Sequence, residues 1–329
     1  MRRRDFLILL GSSVVFSRAA RAQEQGRIRR IGLLMASTER DPDGQARVKV
    51  FADALQDLGW VEGGNLQLYR RWAAGGEDRF RRYAAELVAL APDLMLGDAT
   101  PSVVALLRET RTIPIVFCRV GDPIGSGFVE SFARPRGNVT GFTAFETSMG
   151  PKWLELLKEA SPALSHVALL FNPKTAPQVE TQFLRSIEAA KSSLGIETVP
   201  ARVQSAAEIE DAIRAQGQVN GGLAAMPDTF LVDHRALIIQ TAAQNRVPAI
   251  YTNRLFAAEG GLISYGFDVP DMYRRAASYA DRLLRGARPN ELPVQAPTRF
   301  QLAINLKTAN ALGIQIPPTL LARADEVIE

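Results

Sequence analysis

Cysteine, histidine and long apolar segments are all scarce in this sequence of 329 residues. Cys118 is the single cysteine, so no internal disulfide can form, and the class of small disulfide-rich domains is excluded. His166 and His234 are the only histidines, and neither has further ligands at metal-binding spacing, which argues against a zinc site. No apolar run reaches the roughly 20 residues that cross a bilayer, so a protein with several membrane spans is excluded as well.

The formal net charge falls to zero once the N-terminal segment is set aside. The whole chain has 39 Lys and Arg against 35 Asp and Glu, a formal charge of +4. Residues 1–22 contain five of these bases and one acid, which leaves 34 of each in the remainder. The bulk charge of that remainder therefore gives no reason to expect a nucleic-acid partner.

Residues 1–22 have the organisation of an export signal. Three arginines at Arg2–Arg4 precede an eleven-residue apolar stretch, Phe6–Phe16, and Ala20–Ala22 offers a small-x-small cleavage site. The string Arg3–Leu7 matches the twin-arginine pattern. The alternative is a basic start on a cytosolic protein, but the ordered regions favour export. Because no cysteine lies directly after the apolar stretch, we expect no lipid anchor. We expect cleavage after Ala22, no stable membrane insertion and a soluble periplasmic product.

Short apolar runs alternate with helical patterns along the rest of the chain. The first half predicts strands at 31–35, 66–72, 94–96 and 113–117, and the second predicts strands at 167–171, 196–199, 223–225 and 247–250. Helical patterns lie between them, including one at 101–109 and one at 231–245. This alternation is typical of parallel sheets with right-handed crossovers.

The sequence therefore predicts an α/β fold of two lobes, each a mostly parallel sheet flanked by helices. The expected N-terminal lobe comprises residues 23–142 plus 267–290, and the C-terminal lobe residues 143–266 plus 291–329. Several crossovers would join the lobes, and such a multi-crossover hinge suits closure over a ligand.

Common enzyme signatures are missing. The glycine-rich stretch 121–127 is neither a dinucleotide-binding motif nor a P-loop, and 262–266 lacks the first glycine of a nucleophile elbow. Cys118 lies in an apolar run, which favours a buried, inert thiol over a nucleophile. A Ser-His-Asp triad stays open, so a periplasmic enzyme acting on a small molecule is the alternative to a binding protein.

Polar and aromatic side chains recur just after the predicted strands, where open α/β sheets bind ligands. The candidate ligand-binding residues are Ser37, Thr100, Ser102, Asp122, Asn172, Asp228, Tyr251 and Tyr265. Any one of them could merely cap a helix, but their recurrence in both halves favours binding.

The residue types suggest how a ligand would be held. Thr100 is expected to cap the helix that starts at Pro101, whose free N–H groups, with Ser102, would bind a carboxylate. Asp122 or Asp228 would pair with an ammonium group. Tyr251 and Tyr265 would supply aromatic walls.

Segments throughout the mature chain share a further pattern. They are LGWVEGGN at 58–65, YRRWA at 69–73, TIPIVF at 112–117, GDP at 121–123, GNVTG at 137–141, GGLISYG at 260–266, LPVQAPT at 292–298 and the end from 320 to 329. Together they resemble the substrate-binding proteins of ABC transporters, in the family typified by tryptophan/tyrosine uptake systems.

The resemblance implies a type I periplasmic-binding-protein fold and capture of a small solute, an amino acid or related carboxylate, between the lobes. It implies delivery to an ABC permease and ATPase in the inner membrane, with no cofactor, metal, catalysis or nucleic acid, by a monomer. The positions that match pocket-forming stretches are Thr100, Asp122, Asn172, Asp228, Tyr251 and Tyr265. Relatives usually have glycine where this chain has Ala99, so the wall there is expected to differ. A transcription regulator with this fold is disfavoured, because the export signal occupies the place of its DNA-binding helices.

Overall fold

The computed structural model describes residues 27–329, except residues 75 and 145–147 and the side chains of 191–193. The predicted export signal at 1–22 lies outside the described residues. The chain divides into two compact units. Unit 1 contains the chain up to Phe142 and Met272–Gln295, and unit 2 contains Thr143–Asp271 and Ala296–Glu329. The chain thus passes between the units three times.

Unit 1 is built on a five-stranded sheet in the order β2-β1-β3-β4-β5. Its strands are β1 (Arg29–Met35), β2 (Leu66–Trp72), β3 (Leu94–Asp98), β4 (Ile115–Val120) and β5 (Val139–Thr143), of which the last ends at the unit boundary. Its helices are α1 (Pro42–Asp57), α2 (Glu77–Ala89) and α3 (Ala99–Glu109). The pairs β1–β2, β1–β3 and β3–β4 are parallel, so the carboxyl ends of these four strands share one edge.

The sequence of α1 shows how such an element is specified. The Asp41 carboxylate accepts a hydrogen bond from the backbone N–H of Gly44 at 3.0 Å, and Pro42 occupies the first helical turn. Phe51 and Leu55 point into the core at helical spacing. The helix ends before Gly59, whose φ of 92° is left-handed.

Unit 2 is built on a seven-stranded sheet in the order β12-β11-β10-β9-β8-β6-β7. Its strands are β6 (His166–Phe171), β7 (Glu197–Arg202), β8 (Gly222–Ala225), β9 (Ala249–Tyr251), β10 (Ile263–Phe267), β11 (Phe300–Asn305) and β12 (Glu326–Ile328). Its described helices are α4 (Met149–Ala160), α5 (Leu184–Leu194), α6 (Ala206–Gln218), α7 (Thr229–Asp233), α8 (Arg235–Gln244), α9 (Arg254–Ala258), α11 (Leu306–Leu312) and α12 (Pro318–Leu321). Between them, α10 (Val269–Leu284) carries the chain from unit 2 back into unit 1.

The sheet of unit 2 separates two hydrophobic clusters. Leu169 packs in one with Trp153, whereas the neighbouring Leu170 packs in the other with Ile238. This follows from the alternation of side chains along a strand. All pairs in this sheet are parallel except β10–β11, which is antiparallel.

The prediction of a two-part α/β fold with mostly parallel sheets is confirmed. The single helix predicted at 231–245 is wrong, because the chain breaks at His234 into α7 and α8. There the backbone N–H of His234 and its ring nitrogen Nδ1 lie 3.2 and 2.9 Å from the carbonyl oxygen of Phe230. No helix of the described chain is long and apolar enough to cross a membrane.

Candidate functional site

In unit 1, the carboxyl ends of β1, β3 and β4 meet around the fully buried carboxylate of Asp98. Its Oδ1 accepts hydrogen bonds from the Tyr273 hydroxyl at 2.8 Å and from Nη1 of Arg119 at 3.2 Å. Its Oδ2 accepts a bond from the backbone N–H of Ala36 at 3.3 Å and lies 3.7 Å from Nη2 of Arg47. Burial alone would raise the pKa of Asp98, but the two arginines and these hydrogen bonds hold it below its ordinary value. Asp98 is therefore a charged anchor at this sheet edge.

Arg47 brings the predicted residue Ser37 into the same cluster. Its side chain is only 8 % exposed, and its Nη2 lies 3.4 Å from the Ser37 hydroxyl. Asp41 and Asp43, at 3.6 and 3.7 Å, share its charge. Burial acts to lower the pKa of Arg47, but these carboxylates, with Asp98 the strongest, raise it above its ordinary value. The buried Nε of Arg47 has no hydrogen-bond partner in the described part of the chain.

The start of α3 differs from the prediction. Thr100 was expected to cap this helix, but the helix begins at Ala99 and the residue before it is Asp98. The Asp98 side chain makes no capping hydrogen bond, because its oxygens are engaged by Tyr273 and Arg119. Thr100 and Ser102 instead lie in the first turn. The Ser102 hydroxyl is fully buried and lacks a partner among the described residues.

Two residues at this edge adopt left-handed backbone conformations. Ala99 has φ of 65° and Arg119 has φ of 60°. Residues with side chains pay about 1–3 kcal/mol for such conformations, which concentrate at functional sites. A glycine at position 99 would adopt this φ without that cost.

Asp122 follows β4 in a turn that it helps to form. Its Oδ1 accepts a hydrogen bond from the backbone N–H of Gly125 at 2.8 Å, and the side chain is half-buried. The glycine-rich stretch 121–127 thus contains a turn that the Asp122 side chain stabilises. The structure places Asp122 after the strand next to β3, in the same unit as Thr100 and Ser102.

In unit 2, the structure joins two predicted residues directly. Oδ2 of Asp228 accepts a hydrogen bond from the backbone N–H of Asn172 at 2.7 Å, which links the ends of β6 and β8. Oδ1 accepts bonds from the Thr175 hydroxyl at 2.5 Å and from the backbone N–H of Phe230 at 2.9 Å. Three of the roughly four acceptor positions of this carboxylate are therefore occupied. Burial raises the pKa of Asp228, and these bonds oppose the rise.

The two predicted tyrosines lie on opposite faces of the unit 2 sheet. Tyr251 is aligned with Ser264 on β10, so the next residue, Tyr265, points the other way. The Tyr251 ring is 1 % exposed and stacks on Phe256 with 4.6 Å between centroids. Tyr265 keeps exposed surface and stacks on Phe300 at 5.8 Å. The structure therefore does not bring the two rings together on one side of the sheet.

Residues 40–328 match the family of ABC transporter substrate binding proteins. The chain belongs to this family. A tyrosine-binding protein of Clostridioides difficile is 26 % identical over 268 residues, covering 81 % of this substrate-binding protein and 76 % of the relative.

Solved structures agree with the fold of this substrate-binding protein. A conserved domain protein from Vibrio cholerae is 29 % identical with a TM-score of 0.83, over 92 % of this chain and all of its own. An ABC domain from Streptococcus pneumoniae in complex with L-Trp has a TM-score of 0.83 at 24 % identity, over 91 % of this chain and 99 % of its own. These neighbours establish the type I periplasmic-binding-protein fold for this chain.

Neither the single cysteine nor the acidic side chains of the described residues form a recognisable reactive centre. Cys118 is fully buried, and burial raises the pKa of its thiol well above the ordinary value, as expected for an inert cysteine. Within the described ranges, no three side chains of His, Cys, Asp and Glu cluster as metal ligands. The side chains at the two sheet edges instead present hydroxyl donors, carboxylates and guanidinium groups.

Sequence reasoning missed four members of the unit 1 cluster: Asp98, Arg47, Arg119 and Tyr273. Charged residues within apolar runs were an available signal, because Asp98 ends LMLGD and Arg119 lies in IVFCRV. Arg47 lies among the inward-facing positions of α1. Tyr273 gave no signal, since it comes from α10, 175 residues beyond Asp98.

Proposed function

We propose that this substrate-binding protein captures an amino acid, aromatic in character, or a related small carboxylate outside the cytoplasm, and delivers it to an ABC permease. The observation that carries the proposal is the unpartnered Ser102 hydroxyl in the first turn of α3. A buried hydroxyl normally finds a partner, and a helix N-terminus favours an anion. The tyrosine-binding relative supports an amino-acid ligand.

Each unit contains candidate ligand-binding residues. Thr100 and Ser102 would hold its carboxylate, and Asp122 or Asp228 would take its ammonium group. Asp228 has about one acceptor position left for this role. For the side chain, Tyr265 offers exposed ring surface, whereas the enclosed Tyr251 would act by shaping the wall behind Phe256.

Isothermal titration of the mature chain, residues 23–329, tests this proposal after unfolding and refolding to remove any bound ligand. The panel contains tyrosine, tryptophan, phenylalanine, leucine and 4-hydroxyphenylpropionate. We expect at least one to bind at micromolar or tighter Kd and to be recovered chemically unchanged. Absence of binding across the panel would refute the amino-acid ligand, and conversion of the ligand would favour the enzyme alternative.

Ser102→Ala separates binding from folding. Loss of a hydrogen bond to a charged group costs about 1.5–3 kcal/mol, so the variant should bind roughly 10- to 150-fold more weakly. Its unliganded stability should be unchanged or higher, because the hydroxyl has no partner to lose. Ser278→Ala, at an exposed position of α10, is the matched control. Equal affinities of the two variants would remove Ser102 from the site.

Export is the second part of the proposal. Cell fractionation and N-terminal sequencing should find the protein in the periplasm, starting at Gln23. Replacing Arg3 and Arg4 by lysine should leave it in the cytoplasm at its full length, because the twin-arginine pattern is lost. A cytoplasmic wild-type protein with an intact N-terminus would contradict this part.

A further inference from the structure

The guanidinium of Arg119 is held on one side and open on the other. Nη1 lies 3.2 and 3.4 Å from the two carboxylate oxygens of Asp98. Nε and Nη2 have no hydrogen-bond partner among the described residues, and the side chain remains 15 % exposed. A planar guanidinium carries five N–H donors, so most of its donor capacity is unused.

The backbone at Arg119 is held in a conformation that local preference opposes. Its φ of 60° is left-handed, and its N–H donates to the sulfur of Met272 at 3.3 Å. Such a weak acceptor does little to favour this conformation. The surrounding structure must therefore hold Arg119 at this left-handed φ. Strained backbone conformations of this kind concentrate at functional sites, where the direction of a side chain matters.

Asp98 connects Arg119 to the start of α3. Asp98 binds Arg119 and directly precedes α3, whose first turn holds the buried, unpartnered Ser102 hydroxyl. The other cation, Arg47, lies 3.6–3.7 Å from Asp41, Asp43 and Asp98. Three carboxylates thus share Arg47, whereas Asp98 is the single ion-pair partner of Arg119 within the described chain.

We propose that Arg119 binds the carboxylate of the ligand through Nε and Nη2, with Asp98 as the positioning residue that fixes the guanidinium by Nη1. This inference rests on the proposed function and names a further binding residue for the same ligand. Two parallel N–H···O bonds match a carboxylate and discriminate strongly against a ligand that lacks one. Lysine cannot reproduce this, because an ammonium is a point charge without the planar fork.

The test compares two ligands that differ in the carboxylate, tyrosine and tyramine, on wild type and on Arg119→Gln. In wild type we expect tyrosine to bind at least 30-fold more tightly than tyramine. In Arg119→Gln the ratio should fall to below 5-fold, with tyramine affinity nearly unchanged. Arg119→Lys should give an intermediate ratio. Arg111→Gln, the same charge change at an exposed arginine of unit 1, should keep the wild-type ratio.

A merely structural Arg119 predicts a different result. Substitution of Arg119 would then weaken the binding of tyrosine and of tyramine equally. The ratio of the two affinities would stay at the wild-type value, and that result would overturn the inference. Tyr273→Phe adds a readout for the positioning residue, since it removes a hydrogen bond to Asp98 without touching Arg119. We expect it to lower the tyrosine-to-tyramine ratio several-fold while Arg111→Gln does not.

If wild type binds neither tyrosine nor tyramine, the proposal of an aromatic ligand is refuted. Carboxylate binding at Arg119 is then tested by a second measurement. Acetate and acetamide are titrated to 100 mM while the Arg119 Nε–H resonance, assigned by its loss in Arg119→Lys, is followed by NMR. A saturable shift with acetate and none with acetamide supports carboxylate binding at Arg119. No shift with acetate overturns it.

Discussion

Replacing Tyr273 by phenylalanine tests whether the buried carboxylate of Asp98 organises unit 1. The change removes one hydroxyl, which donates to Asp98 at 2.8 Å, and keeps the ring that packs in the core. Hydrogen bonds to charged groups contribute about 1.5–3 kcal/mol, so we expect unit 1 to lose about 2 kcal/mol. For a domain of this size that corresponds to a melting temperature lower by roughly 4–8 °C.

Tyr69→Phe is the matched control for this substitution. Tyr69 lies on β2 of the same unit, and its hydroxyl has no hydrogen-bond partner within the described ranges. We expect its free energy of unfolding to stay within about 0.5 kcal/mol of wild type. Urea unfolding in a Trp153→Phe background follows unit 1 alone, because the remaining tryptophans, Trp60 and Trp72, both belong to it.

The effect of Tyr273→Phe should also depend on pH. The pKa of Asp98 is lowered in the folded state, so its contribution to stability is present above the ordinary pKa of about 3.9 and is lost as pH falls through the folded value. The gap between wild type and Tyr273→Phe should therefore narrow on acidification below about pH 4. A Tyr273→Phe protein as stable as Tyr69→Phe at pH 7 would refute a charged anchor at Asp98.

Three further predictions concern other positions. Asp228→Asn should destabilise unit 2 more at pH 4 than at pH 8, as measured by urea unfolding with Trp153 fluorescence. Burial raises the pKa of Asp228, so the contribution of this residue to stability is largest at low pH and declines as pH rises through the folded pKa. A loss of stability that grows with pH would contradict this. Gly141→Ala should destabilise unit 1 by more than about 3 kcal/mol, because the new Cβ would overlap the carbonyl oxygen of Phe117, whereas Gly59→Ala, with open space around it, should cost about 1 kcal/mol in calorimetry. Ala99→Gly should keep a free energy of unfolding within about 1 kcal/mol of wild type in calorimetry. Ala99→Val should lose more than about 2 kcal/mol, since a β-branched residue is strained at φ of 65°. Equal stabilities of Ala99→Val and wild type would show that the backbone at this position relaxes freely.

Local signals accounted for the regular elements because their causes are local. The predicted strand at 66–72 matches β2 residue for residue, since an apolar alternation bounded by turn residues specifies it. Likewise, the Asp41–Pro42 start and the Gly59 end of α1 are encoded within a few residues of each boundary. The break at His234 was not predicted, because the apolar pattern of a single helix continues across it.

The candidate site depended on contacts that no local pattern contains. Whether Tyr251 and Tyr265 share a face is decided by the pairing of Tyr251 with Ser264, which is a property of the assembled sheet. Thr100 has the sequence of a good N-cap, yet the helix starts earlier, where Asp98 is committed to partners from α10 and β4. The rule that ligands bind at the carboxyl ends of parallel strands thus predicted the edge of the sheet for the candidate site. The partners of each side chain at that edge could be identified only from the folded structure.

The largely buried ion pair of Asp98 and Arg119 is better explained by orientation of the guanidinium than by a contribution to stability. Replacing a buried pair by apolar side chains of similar volume is often neutral or stabilising, because taking two charges out of water offsets most of their attraction. Asp98 and Arg119 would therefore add little to a sheet edge that had no other task. What an apolar pair could not supply is a guanidinium fixed at Nη1 with Nε and Nη2 unengaged, beside a helix whose first turn holds an unpartnered hydroxyl. In the proposed binding mode a carboxylate would engage the two unengaged nitrogens of Arg119, so a charge that contributes little to folding would become favourable when the ligand binds.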